Sequence, residues 1–518
     1  MGLFFRSKPV WLVVLAVVLM MVLFVGLSAL SSGPGFPLDD GWIHQTYARN
    51  FARNGRFEYV PGVVSAGSTS PLWTMLLAVG YLLRLPYLLW TYLLGSLSLL
   101  WLALTSVRLW QLLWPTWADK DWLPGVVVAL SWPLVWAAAS GMETLLFAAL
   151  GMQLIVIYTQ LALAAAPVTS KIALLGILSG ILILVRPDGL VLLLLLALGL
   201  CLLPGSWQRR FKWVLVYGIT AVIPLLPYFA FNLYSSGSVW PNTFYAKQTE
   251  YQALLAAPIW SRALQLLYFS VGGAEQGWQG ISGVRLLLLP GLIAAGLLAV
   301  KQDWCQRRLL YTLPLLWAGG HVVLYAWRLP VTYQHGRYLF AAIPLWIVYG
   351  LAGWLGLFTW IGNGRLGRMG KQVATLTFAL LLLFFAILGA QTYATDVAFI
   401  EGEMVATAHW LAENTPPDAL IASHDIGAIG YFAERPLLDL AGLISPQVIP
   451  FLADEAALNA YLTQSEAAYL VTAPGWPYTV IAQSPHTTLL YSTEYPWTIA
   501  QGMNNMSVYR LGKTAVGE

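Results

Sequence analysis

Long apolar runs separated by short polar segments dominate residues 1–393 of the chain. A run of about 20 apolar residues is long enough to cross the roughly 30 Å hydrocarbon core of a bilayer as a helix. The segment Pro71–Leu83 has only about 13 residues before Arg84 and Pro86 interrupt it, so we expect a short helix there that does not cross. The remaining runs predict about eleven membrane-spanning helices, near residues 9–31, 88–113, 123–139, 143–164, 172–186, 188–203, 213–234, 284–300, 309–327, 338–359 and 372–392.

The pattern changes near residue 393, where mixed polar and apolar sequence replaces the long apolar runs. Alternating strand-like runs and helical stretches are typical of a small α/β domain, which we expect over residues 394–518. The strand-like runs are Leu420–Ser423, Ala467–Thr472, Thr487–Tyr491 and Ser507–Leu511, and the helical stretches include Glu401–Glu413 and Asp454–Leu462. The sequence therefore predicts a transmembrane module over residues 1–393 followed by this second domain.

The composition indicates an integral membrane protein. Of the 518 residues, 58% are hydrophobic and 10% are charged, whereas a soluble domain has about 25% charged residues. The net charge of +4 is too small and too scattered for a nucleic-acid-binding surface. Two cysteines, Cys201 and Cys305, cannot define a disulfide framework or a metal site. We expect membrane lipids, and no nucleic acid, among the partners of the protein.

The distribution of basic residues sets the orientation of the predicted spans. If Pro71–Leu83 does not cross, one set of short loops collects most of the lysines and arginines, and the positive-inside rule makes these loops cytoplasmic. The first loop, residues 32–87, and the domain after residue 393 are then extracytoplasmic. The basic residues are Arg6, Lys8, Lys120, Lys171, Arg209, Arg210, Lys212, Lys301, Arg307, Arg308, Arg365, Arg368 and Lys371.

Unusual polar residues collect on the opposite, extracytoplasmic side, in loops or at the ends of spans. Ionisable groups at membrane depth are costly and usually mark a functional site. Structural roles stay open for each: a helix cap for the acidic pair, a first-turn acid for Glu143, a local pair of Arg186 with Asp188, and interfacial anchoring for His335 and Arg337. The residues are Asp39, Asp40, Glu143, Arg186, Asp188, Asn242, Lys247, His335 and Arg337.

This inventory fits glycosyl transfer from a lipid-linked donor. Nucleotide sugars and ATP are absent outside the cytoplasm, so activated sugars arrive on membrane carriers such as polyprenyl phosphates. Phosphate is a good leaving group, so one carboxylate suffices as general base, without the paired acid and base of a glycosidase. Arginine stabilises a departing phosphate through two parallel hydrogen bonds. A transporter or flippase of lipid-linked sugars is the alternative, but it would favour repeated halves and polar groups near the midplane.

Several stretches resemble the GT-C class of bacterial integral-membrane glycosyltransferases, in particular the polyprenyl-phosphate-dependent arabinofuranosyltransferases and protein mannosyltransferase-like enzymes. The resemblance covers most of the chain, with one departure at His44-Gln45-Thr46, where a more aromatic sequence followed by Arg is expected. The stretches are LDDGWIHQTYARNFARNGRFEYVPGVVSAGSTSPLWTMLLAVG, SGMETLLFA, LVRPDGL, PNTFYAK, HGRYLFAAIPL and HDIGAIGYFAERPLLDLAGLISP.

The resemblance implies a polytopic α-helical, GT-C-like membrane protein with a small C-terminal α/β domain, in the bacterial cytoplasmic membrane, with its active site facing the periplasm. It implies Asp39 as general base and Asp40 as the residue that orients the acceptor or binds a divalent cation; no other cofactor is expected. The acceptor is a glycan, lipid or protein. The expected donor-phosphate and substrate-binding residues are Arg337, His335, Lys247, Arg186, Asp188, Glu143, His44 and Tyr338.

Overall fold

A computed structural model describes residues 8–512 except 165, 273–282, 307–308, 363, 453 and 475–477. Arg6, Arg307 and Arg308, which helped to set the orientation, lie outside the described residues. The helices of the first module are α1 Lys8–Ser31, α2 Asp40–Asn54, α3 Pro71–Leu82, α4 Tyr87–Leu113, α5 Trp122–Leu130, α6 Trp132–Ala139, α7 Thr144–Leu163, α8 Thr169–Val185, α9 Leu190–Leu202, α10 Trp207–Val222, α11 Leu226–Ser236, α12 Asn242–Glu250, α13 Ile259–Ser270, α14 Leu289–Gln306, α15 Thr312–Arg328, α16 Tyr333–Gly336, α17 Ile343–Trp360 and α18 Arg365–Ile400.

Helices occur at all eleven predicted span positions, but the predicted count of spans is not confirmed. Within the described residues, seven helical segments are long and apolar enough to cross a membrane, and the bent pair α5–α6, with an angle of 61°, makes an eighth. Helices α8, α9 and α15 have 17, 13 and 17 residues, which is shorter than a straight crossing needs. Between α8 and α9 the helix breaks at Arg186, because a residue that precedes proline disfavours helical backbone.

Helices of the bundle pack around one apolar core. Helix α1 packs against α4, α5 and α18; α4 packs against α7, α8 against α10, and α14 against α17. The segment predicted not to cross forms α3, with 12 residues and thus a length of about 18 Å. It lies against α2, whose face from Gln45 to Asn50 is buried.

The second domain grows directly out of the bundle, because α18 continues through a π-helical turn, Glu401–Val405, into α19, Ala406–Asn414. The predicted boundary at residue 393 therefore lies inside a continuous helical segment. Buried Glu403 accepts hydrogen bonds from the hydroxyls of Thr493 and Thr498 and from the backbone N–H of Met506. These contacts fix the helical turn to the far end of the domain.

A five-stranded sheet forms the centre of the second domain, in the spatial order β2-β1-β3-β5-β4. Strands β2, β1 and β3 are parallel, whereas β5 is antiparallel to both β3 and β4. The four predicted strands are present, and β2 is an addition. The elements are β1 Ile421–Ser423, β2 Leu437–Asp439, β3 Tyr469–Thr472, β4 Thr487–Ser492, β5 Ser507–Leu511, α20 Glu455–Gln464, α21 Thr479–Ala482 and α22 Pro496–Ala500.

The C-terminal domain packs directly on the first loop. The ring of Trp42 lies 4.7 Å from the ring of Phe432, measured between centroids. Arg49 donates from Nη1 to the carbonyl of Tyr431 over 2.8 Å, and the Tyr59 hydroxyl donates to the carbonyl of Ile426. Because these contacts are buried, the first loop and the C-terminal domain form one body at the same end of the bundle.

Candidate active site

A cavity of about 160 Å³ lies where the helix ends meet the first loop. The helices around it end or begin at polar residues, so several elements each contribute a charged side chain to one small volume. Seven of the ten predicted site residues line this cavity. They are Asp40, Glu143, Arg186, Asp188, Lys247, Arg337 and Tyr338.

Arg337 reaches the cavity from the short segment α16, Tyr333–Gly336, between α15 and α17. This segment is a left-handed turn, because its backbone angles at Gln334 and His335 are not those of an α-helix. Gln334, His335 and Gly336 have φ angles of 51°, 60° and 69°, a region that residues other than glycine seldom adopt. The turn delivers the Arg337 side chain, which is 3% exposed, into an ion pair with Asp40. Arg337 Nη2 also donates to the Tyr338 hydroxyl over 3.2 Å.

Arg337 has unused hydrogen-bonding capacity. Its Nε and Nη1 atoms are buried and have no hydrogen-bond partner in the described part of the chain. A buried guanidinium N–H without a partner is costly unless a ligand or water accepts from it. Beside it, burial alone would raise the pKa of Asp40, but Arg337 and Lys247 hold that pKa at about 2. The carboxylate of Asp40 is therefore a counter-ion for cations.

Two more cations line the same cavity. Lys247 Nζ pairs with Glu250 Oε2 at 3.3 Å; burial alone would lower the Lys247 pKa, but Glu250 and Asp40 raise it above its usual value. The guanidinium of Arg328 lies 3.7 Å above the ring of Phe244 and donates to the side chain of Gln248 over 2.8 Å. Arg328 was not among the site residues predicted from the sequence, although it directly follows the predicted span 309–327.

The fourth cation, Arg186, belongs to a buried network. It donates to Glu143 Oε1 over 2.8 Å, to Asp188 Oδ2 over 2.9 Å and to the hydroxyl of Tyr325 over 2.7 Å. His44 Nε2 lies 3.2 Å from the second oxygen of Glu143. The local pair of Arg186 with Asp188 is present, as part of a larger hydrogen-bond network that joins the ends of α7, α8 and α15. This network holds Arg186 at the cavity wall.

Asp39 turns away from this cavity. It occupies the residue before α2, but its side chain makes no cap hydrogen bond within that helix. Instead, its Oδ2 accepts from the backbone N–H of Gly427 over 2.7 Å and its Oδ1 from that of Ala428 over 2.8 Å. Burial and the nearby charge of Asp425 raise the pKa of Asp39 to about 7. The two adjacent acids thus have different partners and different affinities for protons.

His335 does not line the cavity. Its Nε2 lies 2.7 Å from Asp396 Oδ2, and its ring packs edge-on against Trp132 and Trp136. Trp136 also donates to Asp396, over 2.8 Å. This set anchors the left-handed turn to α6 and α18, so His335 lies behind Arg337 and outside the cavity.

Other polar residues near the site were not selected from the sequence. Glu250 lies three positions after Lys247, a spacing that a helical reading would have detected. His424 and Asp425 stand at the start of a stretch quoted for its resemblance to the GT-C class, but nothing in the sequence relates them to Asp39. His424 Nε2 lies 3.8 Å from Glu250 Oε1, and its Nδ1 lies 3.4 Å from Asp425 Oδ1.

The surroundings of Asp40 do not fit a divalent cation. Hard cations take several oxygen ligands at once. Arg337 already pairs with Asp40, and the charge of Lys247 acts on the same carboxylate. Among the described residues, no group of three or more His, Cys, Asp or Glu side chains is arranged to hold a metal ion. A cation near Asp40 stays a prediction, and the mechanism below uses none.

Solved structures with a similar fold cover nearly the whole chain. ArnT from Cupriavidus metallidurans, solved with bound undecaprenyl phosphate, is 15% identical and aligns with a TM-score of 0.54 over 98% of this chain and 99% of that chain. The oligosaccharyltransferase AglB from Archaeoglobus fulgidus, solved with an inhibitory peptide and a dolichol-phosphate, is 12% identical. Its TM-score is 0.60 over 91% of this chain and 70% of that chain. Both are GT-C glycosyltransferases, so the chain has the predicted GT-C fold.

Residues 391–509 match a sequence family described as a domain of unknown function, DUF8728. This match spans the C-terminal domain together with the end of α18. No curated protein has a matching sequence.

Proposed function

We propose that this protein is a membrane glycosyltransferase that moves a sugar from a polyprenyl-phosphate donor to an acceptor on the extracytoplasmic face. The proposal rests chiefly on Arg337. Its buried Nε and Nη1 have no hydrogen-bond partner among the described residues, while its Nη2 donates to Asp40. An anion is the ligand that this arrangement lacks. A phosphate presents several acceptor oxygens to a guanidinium fork.

Four cations around one cavity support phosphate as the leaving group. Arg186, Lys247, Arg328 and Arg337 all line it. Cationic donors that are already in position stabilise charge that develops on a leaving group without reorganisation during the reaction. The lipid phosphates bound to ArnT and AglB belong to the same chemical class.

An apolar groove beside the cavity is suited to the prenyl chain of such a donor. The groove has a volume of about 330 Å³ and is bounded by α3, the end of α8 and α11, with Leu72, Leu184 and Phe231 in its wall. Ser68 lines the groove and the next residue, Thr69, lines the cavity. A lipid phosphate with its chain in the groove would therefore have its head group at the cations.

The acidic pair suits an inverting displacement, in which the acceptor attacks the anomeric carbon opposite the phosphate. Asp40 stands on the phosphate side with Arg337, and its low pKa makes it a poor base. Asp39 points away from the cations, toward the backbone of Gly427, and a pKa of about 7 suits a general base. The acceptor oxygen bonds to the anomeric carbon, its proton passes to Asp39, and the sugar–phosphate bond breaks with its electron pair left on the phosphate.

The orientation follows from where the basic residues stand. Lys120, Lys171, Arg209 and Arg365 lie in the loops or at the helix starts opposite those that form the site. By the positive-inside rule those loops are cytoplasmic, so the cavity and the C-terminal domain face outward. This orientation supports the proposal, because lipid-linked sugars are the available donors on that side.

The test is transfer by the purified full-length protein in proteoliposomes, with radiolabelled polyprenyl-phosphate sugars as donors. Asp39→Asn should keep undecaprenyl phosphate binding and lose about 10²- to 10⁴-fold in kcat, the usual range for removal of a general base. Asp40→Asn should chiefly change the donor KM and leave kcat near normal, because Asp40 contacts Arg337 and is not the base. Near-normal transfer by both variants and by the double variant, or a product that retains the anomeric configuration, would contradict the mechanism.

A further inference from the structure

The C-terminal domain reaches the acidic pair through one short segment, His424–Ala428, which directly follows strand β1. Gly427 and Ala428 donate one backbone hydrogen bond to each oxygen of Asp39, across 388 and 389 residues of sequence. Gly427 lies so close that a Cβ atom there would collide with the carbonyl oxygen and Oδ2 of Asp39. The domain is therefore fitted against this carboxylate at backbone distance.

The same segment also contacts the cation side of the cavity. His424 is partly buried and lies between Asp425 and Glu250, and Glu250 pairs with Lys247, which lines the cavity. Burial alone would lower the pKa of His424, but the hydrogen bond with Asp425 raises it. One loop of the domain thus adjoins both the carboxylate on one side and the Lys247 pair on the other.

The hydrogen bonds to Asp39 restrict its orientation. The side chain makes no bond within α2, so these two N–H groups are what hold the carboxylate. An ionised carboxylate has about four acceptor positions, and two stay free to accept a proton. Catalytic groups held in a productive orientation gain rate, and a displacement of about 1 Å can cost about 10²-fold.

We infer that the C-terminal domain is a working part of the active site, in which the backbone N–H groups of Gly427 and Ala428 position Asp39 for proton transfer. This inference rests on the proposed function, since it takes Asp39 as the base. It assigns to the domain of unknown function a positioning role in the transfer step. The alternative is that Asp39 only anchors the domain, which would affect stability but not turnover.

The experiment removes one N–H group and keeps the rest of the protein. Ala428 has φ −62°, an angle that proline adopts, so Ala428→Pro removes the donor to Asp39 Oδ1 and places its ring carbon Cδ against the carboxylate where the N–H was. We expect kcat to fall by about 10- to 100-fold, the range for a lost hydrogen bond to a charged group. Undecaprenyl phosphate binding should stay within about twofold of wild type, since the cations are unchanged. Ala456→Pro, at an exposed position in the first turn of α20 in the same domain, is the matched control and should retain near-normal kcat.

A second variant covers the case in which Ala428→Pro does not fold. Lactic acid in place of Ala428, introduced by nonsense suppression, exchanges the N–H for an oxygen and keeps the methyl group. A lower kcat with unchanged lipid-phosphate binding in this variant supports the inference. Wild-type kcat per folded molecule, with or without a lower melting temperature, would overturn it. If the wild-type protein transfers no sugar from any polyprenyl-phosphate donor, the proposed function itself fails, which is a distinct outcome.

Discussion

Asp39 and Asp40 are neighbours in the sequence, but their side chains meet opposite charges. Asp40 faces Arg337 and Lys247, whereas Asp39 faces Asp425 and two backbone N–H groups. Because of this, one carboxyl stays ionised at any physiological pH and the other changes its charge near neutrality. This division fits the proposed mechanism, in which Asp40 is a counter-ion and Asp39 is the base.

Transfer should therefore depend on pH through Asp39. Burial and Asp425 raise its pKa from 3.8 to about 7, and only the ionised form accepts a proton, so kcat/KM should rise as pH increases through about 7 and fall below it. Asp425→Asn removes the neighbouring negative charge, lowers the pKa of Asp39 and moves this acid limb to lower pH. Asp418→Asn, at an exposed position of the same domain, is the control. Superimposable profiles for Asp425→Asn and wild type would contradict the assignment.

Arg337 should determine donor affinity. Arg337→Ala removes the unpartnered N–H groups and leaves the negative charge of Asp40 beside the phosphate, so undecaprenyl phosphate binding should weaken by about 10- to 100-fold. Arg337→Lys should recover only part of this loss, because an ammonium group lacks the bidentate fork. Arg53→Ala, whose side chain is 62% exposed, is the matched control and should bind normally. Undecaprenyl phosphate binding measured in nanodiscs checks this order of affinities. Full affinity in the alanine variant would show that Arg337 does not bind the phosphate.

The sequence predicted on which side of the bundle the candidate site residues lie. It did not predict their hydrogen-bond partners. Ionisable residues at span ends predicted Arg337, Lys247 and Arg186, because such residues are expensive unless they have a role. The contact of Asp39 with Gly427 joins positions 388 residues apart and uses only backbone groups, so no residue type signals it. Arg328 was overlooked although it carries the same signal as Arg337.

At the scale of elements, the left-handed turn from Gln334 to Gly336 is the feature that aims Arg337. A side chain at φ near 60° costs about 1–2 kcal/mol per residue, except for glycine. The pair of His335 with Asp396, packed on Trp132 and Trp136, holds the turn against that cost. The predicted site residue His335 thus supports the cavity from behind.

Gly336→Ala should disrupt this turn. Its φ is 69°, and a Cβ atom would also collide with the ring of Phe269, so the free energy of unfolding should fall by at least about 1–2 kcal/mol. The melting temperature in detergent should decrease, and donor affinity should decrease with it because Arg337 moves. Gly218→Ala, in α10 with no atom within 4 Å of the added Cβ, should match or slightly exceed wild-type stability. A Gly336→Ala protein as stable as wild type would show that the turn has another backbone form available.

Apolar run length predicted where helices lie but not how long they are. The break predicted between residues 186 and 188 is present, because the proline that follows Arg186 ends α8, and the helices on either side have 17 and 13 residues. Strand β2 has three residues, too few for an alternating pattern, and it forms by pairing with β1. Strand β2 is the element that the sequence pattern missed, because a hydropathy window does not detect strand pairing.

For the whole molecule, the orientation predicts which surfaces reagents can reach. In a variant with Cys201 and Cys305 replaced by serine, a cysteine at Arg209 or Arg365 should resist an impermeant thiol reagent in intact cells. A cysteine at Glu413, exposed in the C-terminal domain, should react at once. Permeabilised cells, in which all three positions should label, provide the control. Labelling at Arg209 with protection at Glu413 would invert the orientation.

The contact between the first loop and the C-terminal domain also fixes when the enzyme becomes complete during synthesis. The ribosome makes Asp39 first, and the residues that hold it, Gly427 and Ala428, emerge only after helices α1 to α18 have been made. The apolar face around Trp42 therefore stays uncovered until the C-terminal domain has been made. A nascent chain that ends before residue 427 carries Asp39 without these two hydrogen bonds, so under the proposed mechanism it should consume donor lipid only slowly.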